Sequence, residues 1–191
     1  MKYNIIYADP PWKYFWGGGK DGGHFAPEKH YLTMDTEKIC TLNVRAMRAP
    51  ACALFLWATM PALPEAFKVM AAWGFKYKTC AFSWVKTKKN GEPIRGMGSY
   101  TKSNIELCLL GMRGHIKAVD KTVPQIVMHP RLGHSVKPPE IRTRIVQLFG
   151  DLPRIELFAR QQAAGWDAAG YGIDGISMEQ KIDELLLRKP G

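Results

Sequence analysis

The sequence predicts an α/β fold in which one mostly parallel sheet is covered by helices on both faces. Runs of apolar and β-branched residues alternate along the chain with segments whose apolar residues recur at helical spacing. The run from Cys52 to Trp57 is apolar at every position, which is typical of a strand buried on both faces. The chain has 191 residues, the length of one ordinary domain, so we expect a single domain over residues 1–191.

The N-terminal half is expected to contain two strands and two helices. The run from Tyr3 to Ala8 stops before Pro10, because proline cannot continue the hydrogen bonding of a strand. Clustered glycines and aromatic residues favour a flexible loop of the kind that closes over active sites. In order, the elements are a strand at 3–8, this loop at 13–34, a helix at 35–48, a strand at 52–57 and a helix that begins at Pro61 or Pro64 and ends at Gly74.

The C-terminal half continues the alternation of strands and helices. Asn90-Gly91 is a turn signal, and Ser177 with Gln180 has the spacing of a capping box at the start of a helix. In order, the elements are a strand at 75–86, a flexible loop at 87–103, a strand at 106–112, a polar linker to residue 136, a helix from Pro138 to Gly150, a strand at 155–159 and a helix at 177–189.

The charge balance favours an anionic partner. There are 27 Lys and Arg residues against 17 Asp and Glu residues, a net charge of +10, and nucleic acid is the commonest partner of such chains, with a merely solvated surface as the alternative. No apolar run reaches the roughly 20 residues of a membrane helix, and the first residues lack a secretory signal, so we expect a cytoplasmic protein without membrane contact. The four cysteines are widely spaced, and no metal site is expected.

The tetrapeptide Asp9-Pro10-Pro11-Trp12 is the most informative motif. It directly follows a predicted strand, at the carboxyl end where α/β sheets bind their ligands. The prolines fix the backbone and remove N–H groups that would compete for the Asp9 carboxylate. A Pro-Pro turn followed by a packed tryptophan is the structural alternative. The tetrapeptide is therefore a candidate part of a ligand-binding site.

This tetrapeptide resembles the catalytic motif of the MT-A70 family of S-adenosylmethionine-dependent adenine N6-methyltransferases, in its D-P-P-W form. The chain resembles a short, bacterial or phage-like member. Further segments resemble the successive blocks of that family in its own order, so the resemblance covers roughly residues 3 to 175. These segments are Tyr31–Met34, Leu54–Thr59, Trp84–Thr87, Glu106–Leu109, Ser135–Pro138 and Glu156–Arg160.

The resemblance implies a Rossmann-like methyltransferase domain that transfers a methyl group from S-adenosylmethionine to the N6 amino group of adenine. That amino group is a weak nucleophile because its lone pair is delocalised into the ring, and donating a hydrogen bond makes it more amine-like. Asp9 would accept this bond, the Pro10 carbonyl would accept a second one, and Pro11 would keep the backbone rigid. Trp12 would stack on a base flipped out of its strand.

The resemblance also implies which residues bind S-adenosylmethionine. Lys137 would contact the cofactor carboxylate, although Ser135, Lys137 and Pro138 are equally typical of the start of a helix. The family's Gly-Asn pair is replaced here by Gly170-Tyr171, so the Tyr171 hydroxyl would make that ribose contact. The implied cofactor-binding residues are Asp9, Ser135, Lys137, Pro138, Glu156, Phe158, Arg160 and Tyr171.

Substrate-binding residues are expected in and around the second loop. Basic and aromatic residues interleave there, which suits phosphate contact together with base stacking, and solvated surface lysines are the alternative. The candidates are Trp12, Lys88, Lys89, Arg95, Tyr100, Lys102, Asn104 and Glu106. DNA is the favoured substrate because no RNA-binding module is recognisable, with RNA methylation and a catalytically silent nucleic-acid-binding relative as alternatives. A monomer or a homodimer is expected.

Overall fold

A computed structural model describes residues 2–13, 33–96, 98, 100–133 and 136–188. The strands within these residues are β1 (Tyr3–Ala8), β2 (Arg48–Ala58), β3 (Lys76–Thr87), β4 (Ile105–Arg113), β5 (Ile126–Pro130), β6 (Arg154–Leu157) and β7 (Asp167–Ala169). The α-helices are α1 (Thr36–Thr41), α2 (Val44–Met47), α3 (Leu63–Ala72), α4 (Glu140–Phe149), α5 (Tyr171–Asp174) and α6 (Met178–Leu187), and Met60–Ala62 form a short 3-10 helix before α3.

The strands in the described residues form one seven-stranded sheet in the order β5-β3-β4-β2-β1-β6-β7. β1 pairs in parallel with β2 on one side and with β6 on the other, and β6 pairs in parallel with β7. β4 runs antiparallel to both of its neighbours, β2 and β3, whereas β3 and β5 are parallel. The predicted mostly parallel sheet is confirmed, and β4 begins at the edge where the other strands end.

Helices cover both faces of this sheet, as the sequence predicts. On one face, α1, α3 and α6 contribute Ile39, Val69 and Ile182 to a core cluster with β1 and β2. On the other face, α4 packs Ile141 against the aromatic side chains of β2 and β3. α4 ends at Gly150, whose φ of 83° favours glycine. The two cores hold the central strands β1 and β2 between them, so the ends of these strands are firmly placed.

Two strands lie where the sequence predicts none. β5 falls inside the segment interpreted as a polar linker. Its sequence gives little strand signal because, as an outermost strand of the sheet, it buries Val127 and exposes Ile126 and Met128. β7 has three residues, too few to produce a periodic pattern. The linker interpretation is therefore wrong at residues 126–130.

Other predicted boundaries shift by a few residues. The helix predicted at 35–48 is divided into α1 and α2 at Leu42 and Asn43, and Arg48 already belongs to β2. The helix predicted at 177–189 is α6, and the Ser177 hydroxyl caps it by accepting a hydrogen bond from the Gln180 N–H. Of the loop predicted at 13–34, residues 14–32 lie outside the described residues. In the described part of the chain, no helix combines the length and the apolar character that crossing a bilayer requires.

Candidate active site

Asp9 is the first residue after β1, at the edge of the sheet where the parallel strands end. β1 lies between β2 and β6, and its residues from Ile5 to Ala8 are almost completely buried, so the position of Asp9 is fixed by the core. The Trp12 N–H donates to the Pro10 carbonyl over 2.9 Å, and the Met34 N–H donates to the Pro11 carbonyl over 2.8 Å. A carbonyl oxygen can accept two hydrogen bonds, so the predicted second acceptor role of Pro10 stays a prediction.

Asp9 is the first of four charged side chains that alternate in sign. Lys137 Nζ lies 2.7 Å from Asp9 Oδ2 and 3.3 Å from Glu106 Oε2. The other Glu106 oxygen, Oε1, lies 2.5 Å from Lys86 Nζ. All four side chains are largely buried, and Asp9 is the most accessible at 24% exposed. We call the set Asp9, Lys137, Glu106 and Lys86 the charge row.

Two tryptophan rings support the lysines of the charge row. Lys137 Nζ lies 5.5 Å from the ring centroid of Trp57, and Lys86 Nζ lies 5.1 Å from that of Trp84. The two rings meet edge to face with centroids 6.4 Å apart, and the Trp57 indole N–H donates to the Tyr7 hydroxyl over 2.8 Å. Ammonium groups are attracted to indole faces, so the rings restrict where the two lysines can lie.

Burial and pairing act differently on the members of the charge row. Burial raises the pKa of the Asp9 carboxyl above its ordinary value, and the Lys137 ammonium offsets only part of the rise. Burial acts in the same direction on Glu106, but Lys137 and Lys86 together hold its pKa below the ordinary value. Burial lowers the pKa of Lys137, and the two carboxylates outweigh it, so the net pKa is raised. Asp9 is thus the carboxyl group of the row whose affinity for a proton is increased.

Glu156, a predicted cofactor ligand, is held by an arginine of α4. Its side chain is buried, and its two oxygens accept hydrogen bonds of 2.6 and 2.8 Å from Nε and Nη2 of Arg142. This bidentate pair ties α4 to β6. Each carboxylate oxygen can accept a further hydrogen bond, so the predicted cofactor contact of Glu156 stays a prediction.

Trp12 also departs from expectation. Its side chain is 5% exposed and belongs to the core cluster that contains α1 and α3. Its indole N–H donates to the Trp57 carbonyl over 3.0 Å. A ring enclosed in this way presents no open face to a flipped base, so the structure supports the packed-tryptophan alternative over the stacking role.

We expect Trp12→Phe to lower the free energy of unfolding by about 1–3 kcal/mol, because it shrinks a buried ring and leaves the Trp57 carbonyl without its donor. Urea unfolding checks this value. The affinity for nucleic acid should stay close to that of the parent. A stacking role for Trp12 would instead give an unchanged stability together with weaker binding.

The predicted cofactor residues after β6 and β7 lie side by side at the carboxyl edge. Phe158 follows β6 directly with a φ of 62°, and a non-glycine residue in this strained region is typical of a functional turn. A Cβ atom on Gly170 would lie 2.1 Å from the Ala159 carbonyl oxygen, so only glycine permits the close packing of these two segments. Arg160 and Tyr171 are both exposed beside this contact, and Arg160 lowers the pKa of Asp9 through its charge.

The side chains at this edge fit S-adenosylmethionine in charge. The amino-acid part of that molecule carries a carboxylate and an ammonium, and the edge offers the Lys137 ammonium beside the Asp9 carboxylate. An ammonium has three donors, of which Asp9 and Glu106 use two, so Lys137 retains one for a further carboxylate. Pro138 is buried directly after Lys137, and the predicted ligand Ser135 lies outside the described residues.

The segment predicted to bind nucleic acid connects β3 to β4 at the same edge. Its two ends are joined, because the Lys86 N–H donates to the Asn104 carbonyl over 2.8 Å and the Ile94 N–H donates to the Lys86 carbonyl over 2.9 Å. Asn104 therefore lies beside the charge row, to which Glu106 itself belongs, and their predicted contact with the target base stays a prediction. The expected flexibility of this segment stays a prediction.

The cationic side chains of the connection point outward. Tyr100 is fully exposed, and Lys89, Arg95 and Lys102 are exposed as well. Lys88 is exposed too, and its Nζ pairs with the Glu92 carboxylate at 2.8 Å. These side chains form an accessible basic surface at the edge where the parallel strands end, the edge that also carries Asp9.

Three residues that support the site, Tyr7, Trp57 and Arg142, are absent from the sequence-based candidates, whereas Trp84 and Lys86 belong to the basic and aromatic stretch that runs into the second loop. Trp57 and Lys86 fall inside segments that resemble family blocks, so the signal for them exists. Tyr7 and Arg142 have no such signal, because their roles depend on contacts between elements that are distant in the chain.

Comparison with known proteins gives a consistent set of relatives. A family model described as MT-A70 matches residues 3–172. The chain is 34% identical, over 96% of its length, to the type II methyltransferase M.MunI of Mycoplasma sp, of which it covers 84%.

More distant relatives are larger proteins. The chain is 28% identical to a putative N(6)-adenosine-methyltransferase MT-A70-like of Medicago truncatula, of which it covers 28%. It is 25% identical to the N6-methyladenosine RNA methyltransferase MTA1 of Pyricularia oryzae, of which it covers 50%. The matches take in 97% and 96% of this chain, so each follows the whole sheet described above.

Proposed function

The chain belongs to the MT-A70 family of N6-adenine methyltransferases, and on that basis we propose that it methylates adenine N6 in DNA. The observation that carries the choice of DNA is the 34% identity to a type II methyltransferase, the class of enzyme that modifies DNA, with 84% of that protein covered. The relative named as an RNA methyltransferase is 25% identical, with half of its length covered.

Members of this family use S-adenosylmethionine, which supplies the methyl group that the target nitrogen receives. We assign its carboxylate to the remaining donor of Lys137 and its adenosine part to the surface formed by Phe158, Arg160 and Tyr171. Methyl transfer of this kind needs alignment and does not need a covalent enzyme intermediate. The rigid core beneath β1 and β6 supplies that alignment.

Asp9 would act on the target base. Its carboxylate accepts a hydrogen bond from the N6 amino group and thereby returns electron density to the nitrogen that attacks. The 24% exposure of this side chain leaves room for a base, and its raised pKa, caused by burial, makes it a stronger acceptor than an ordinary aspartate. The Lys137 ammonium beside Asp9 offsets part of that rise and thereby favours the charged form that this role needs.

The test is incubation of the protein with labelled S-adenosylmethionine and with DNA and RNA pools of matched sequence, followed by nucleoside mass spectrometry. We expect N6-methyldeoxyadenosine from the DNA pool. N6-methyladenosine from the RNA pool alone would overturn the choice of DNA, and N4-methylcytosine would overturn the choice of adenine. Parallel incubations with an Asp9→Ala variant identify label that a contaminating enzyme introduces.

The basic surface between β3 and β4 should hold the phosphates beside the target base. We expect replacement of Lys88, Lys89, Arg95 and Lys102 by Ala to weaken DNA binding for all sequences. The slope of the salt dependence should fall by about one unit for each phosphate that the protein no longer neutralises. Fluorescence anisotropy at several salt concentrations measures both quantities.

A matched control replaces Lys76 and Lys78, which are exposed at the opposite end of β3. This variant should bind DNA like the parent. Equal losses in the two variants would indicate a nonspecific effect of net charge, and the phosphate surface would then lie elsewhere.

A further inference from the structure

Lys86 is the last member of the charge row, at the end away from Asp9, and lies at the carboxyl end of β3. Its Nζ is 2.5 Å from Glu106 Oε1 and lies over the Trp84 ring, and its side chain is 21% exposed. Its backbone N–H and carbonyl are both hydrogen-bonded across the connection to β4. Because its backbone, its contact with the Trp84 ring and its ion pair all hold it, the Lys86 side chain can move little. Its ammonium therefore fixes the position of the Glu106 carboxylate.

Glu106 in turn shares Lys137 with Asp9. One Glu106 oxygen faces Lys86 and the other faces Lys137, so two cations hold this carboxylate from opposite sides. Lys137 lies closer to Asp9, at 2.7 Å, than to Glu106, at 3.3 Å. If Glu106 lost its charge, Asp9 would be the one carboxylate partner left to Lys137 among the described residues, and the ammonium would pair with Asp9 alone.

A carboxylate paired tightly with one ammonium is a poorer acceptor for a neutral amine. We propose that Lys86 is a positioning residue for methyl transfer, which keeps Glu106 charged and in place so that Lys137 stays shared between Glu106 and Asp9. Asp9 then stays available to the target amino group. This role concerns methyl transfer itself and is independent of whether DNA or RNA carries the adenine.

The surroundings of Glu106 determine how this role depends on pH. Within the described residues, Glu106 faces Lys86 from β3 and Lys137 before α4. Further titratable groups act on the Asp9 and Lys137 end of the row, namely Arg160 after β6, Glu156 on β6, Tyr7 on β1 and Cys108 on β4, while β2 presents the uncharged Trp57. Without Lys86, burial would raise the pKa of Glu106. Glu106 would then take up a proton as the pH falls, so the defect should be largest in acid and smallest at alkaline pH.

The experiment compares Lys86→Gln and Lys86→Arg with the parent by measuring kcat and KM across acidic and alkaline pH, on whichever nucleic acid the parent methylates. We expect Lys86→Gln to move the acidic limb of the kcat profile upward by roughly one pH unit, and Lys86→Arg to restore it. KM for nucleic acid should stay unchanged. The control variant Lys78→Gln should match the parent in kcat and KM at every pH, because Lys78 is exposed near the opposite end of β3.

A double substitution separates positioning from direct phosphate contact. In a Glu106→Gln background, Lys86→Gln should produce no further shift of the acidic limb, because its partner is already neutral. A raised KM with a reduced salt slope at every pH, present also in that background, would overturn the proposal in favour of a phosphate contact. An unchanged pH profile would overturn it as well. Lys86→Met, which keeps the stem over Trp84, replaces Lys86→Gln if the latter does not fold.

Discussion

Replacement of Asp9 by Ala should lower kcat for methylation at least about a hundredfold while the protein keeps its fold and most of its affinity for S-adenosylmethionine. The target amine loses the acceptor that increases its nucleophilicity. Lys137 keeps Glu106 as a partner at 3.3 Å, so the substitution leaves no unpaired buried ammonium. The backbone around position 9 is held by β2 and β6 and does not depend on the carboxylate.

Transfer of labelled methyl groups to nucleic acid measures the loss, and calorimetry with the cofactor confirms that the binding site survives. Asp183→Ala is the matched control, because Asp183 is an exposed aspartate on α6. Full activity of a correctly folded Asp9→Ala variant would contradict the assigned mechanism. Loss of cofactor binding as well would instead place Asp9 primarily in the cofactor site.

Replacement of Lys137 by Met should lower the free energy of unfolding by about 3–5 kcal/mol at neutral pH, the loss expected when one partner of a buried ion pair is removed. Two largely buried carboxylates, Asp9 and Glu106, would then lose the ammonium between them. The affinity for S-adenosylmethionine should fall in the same variant, because the donor assigned to its carboxylate is gone.

The direction in which the stability loss of Lys137→Met changes with pH distinguishes a lost ion pair from lost packing. Without Lys137, the pKa of Asp9 rises further above its value in the unfolded chain, and the pKa of Glu106 rises because one of its two ammonium partners is gone. A raised pKa destabilises the fold only at a pH where the unfolded state would be ionised. The loss in unfolding free energy, relative to the parent, should therefore shrink as the pH falls towards about 4 and grow as the pH rises. Urea unfolding of parent and variant over this range measures it, with Lys68→Met, at an exposed pair, as control. A deficit that does not change with pH would indicate lost packing.

The central strands could be predicted because their signal is local. β1 and β2 are nearly continuous apolar runs, and Pro10 marks the end of β1 in the sequence itself. β5 could not be predicted, since an edge strand that buries only one side chain leaves no pattern distinct from a linker. The division of the first predicted helix at Leu42 was equally invisible, because the apolar spacing continues through the break.

The candidate site also has one part that could be predicted from the sequence and another that could not. Asp9 follows from four consecutive residues, whereas its partner Lys137 lies 128 positions away and Glu106 reaches the row only because β4 is antiparallel. An antiparallel strand brings its first residues to the edge where parallel strands bring their last. The packed position of Trp12 could not be predicted for a related reason, since residue type does not reveal whether neighbouring side chains enclose a ring.

The antiparallel direction of β4 also bears on how such an enzyme can acquire new targets. The chain leaves β3 and enters β4 at the same edge, and a hydrogen bond from Lys86 to Asn104 closes the connection at its base. Residues between these points can be lengthened, shortened or exchanged without shifting either strand, and doubling the length of such a loop costs only about 0.6 kcal/mol. The connection can therefore change in length and composition while the strands that carry the charge row keep their positions.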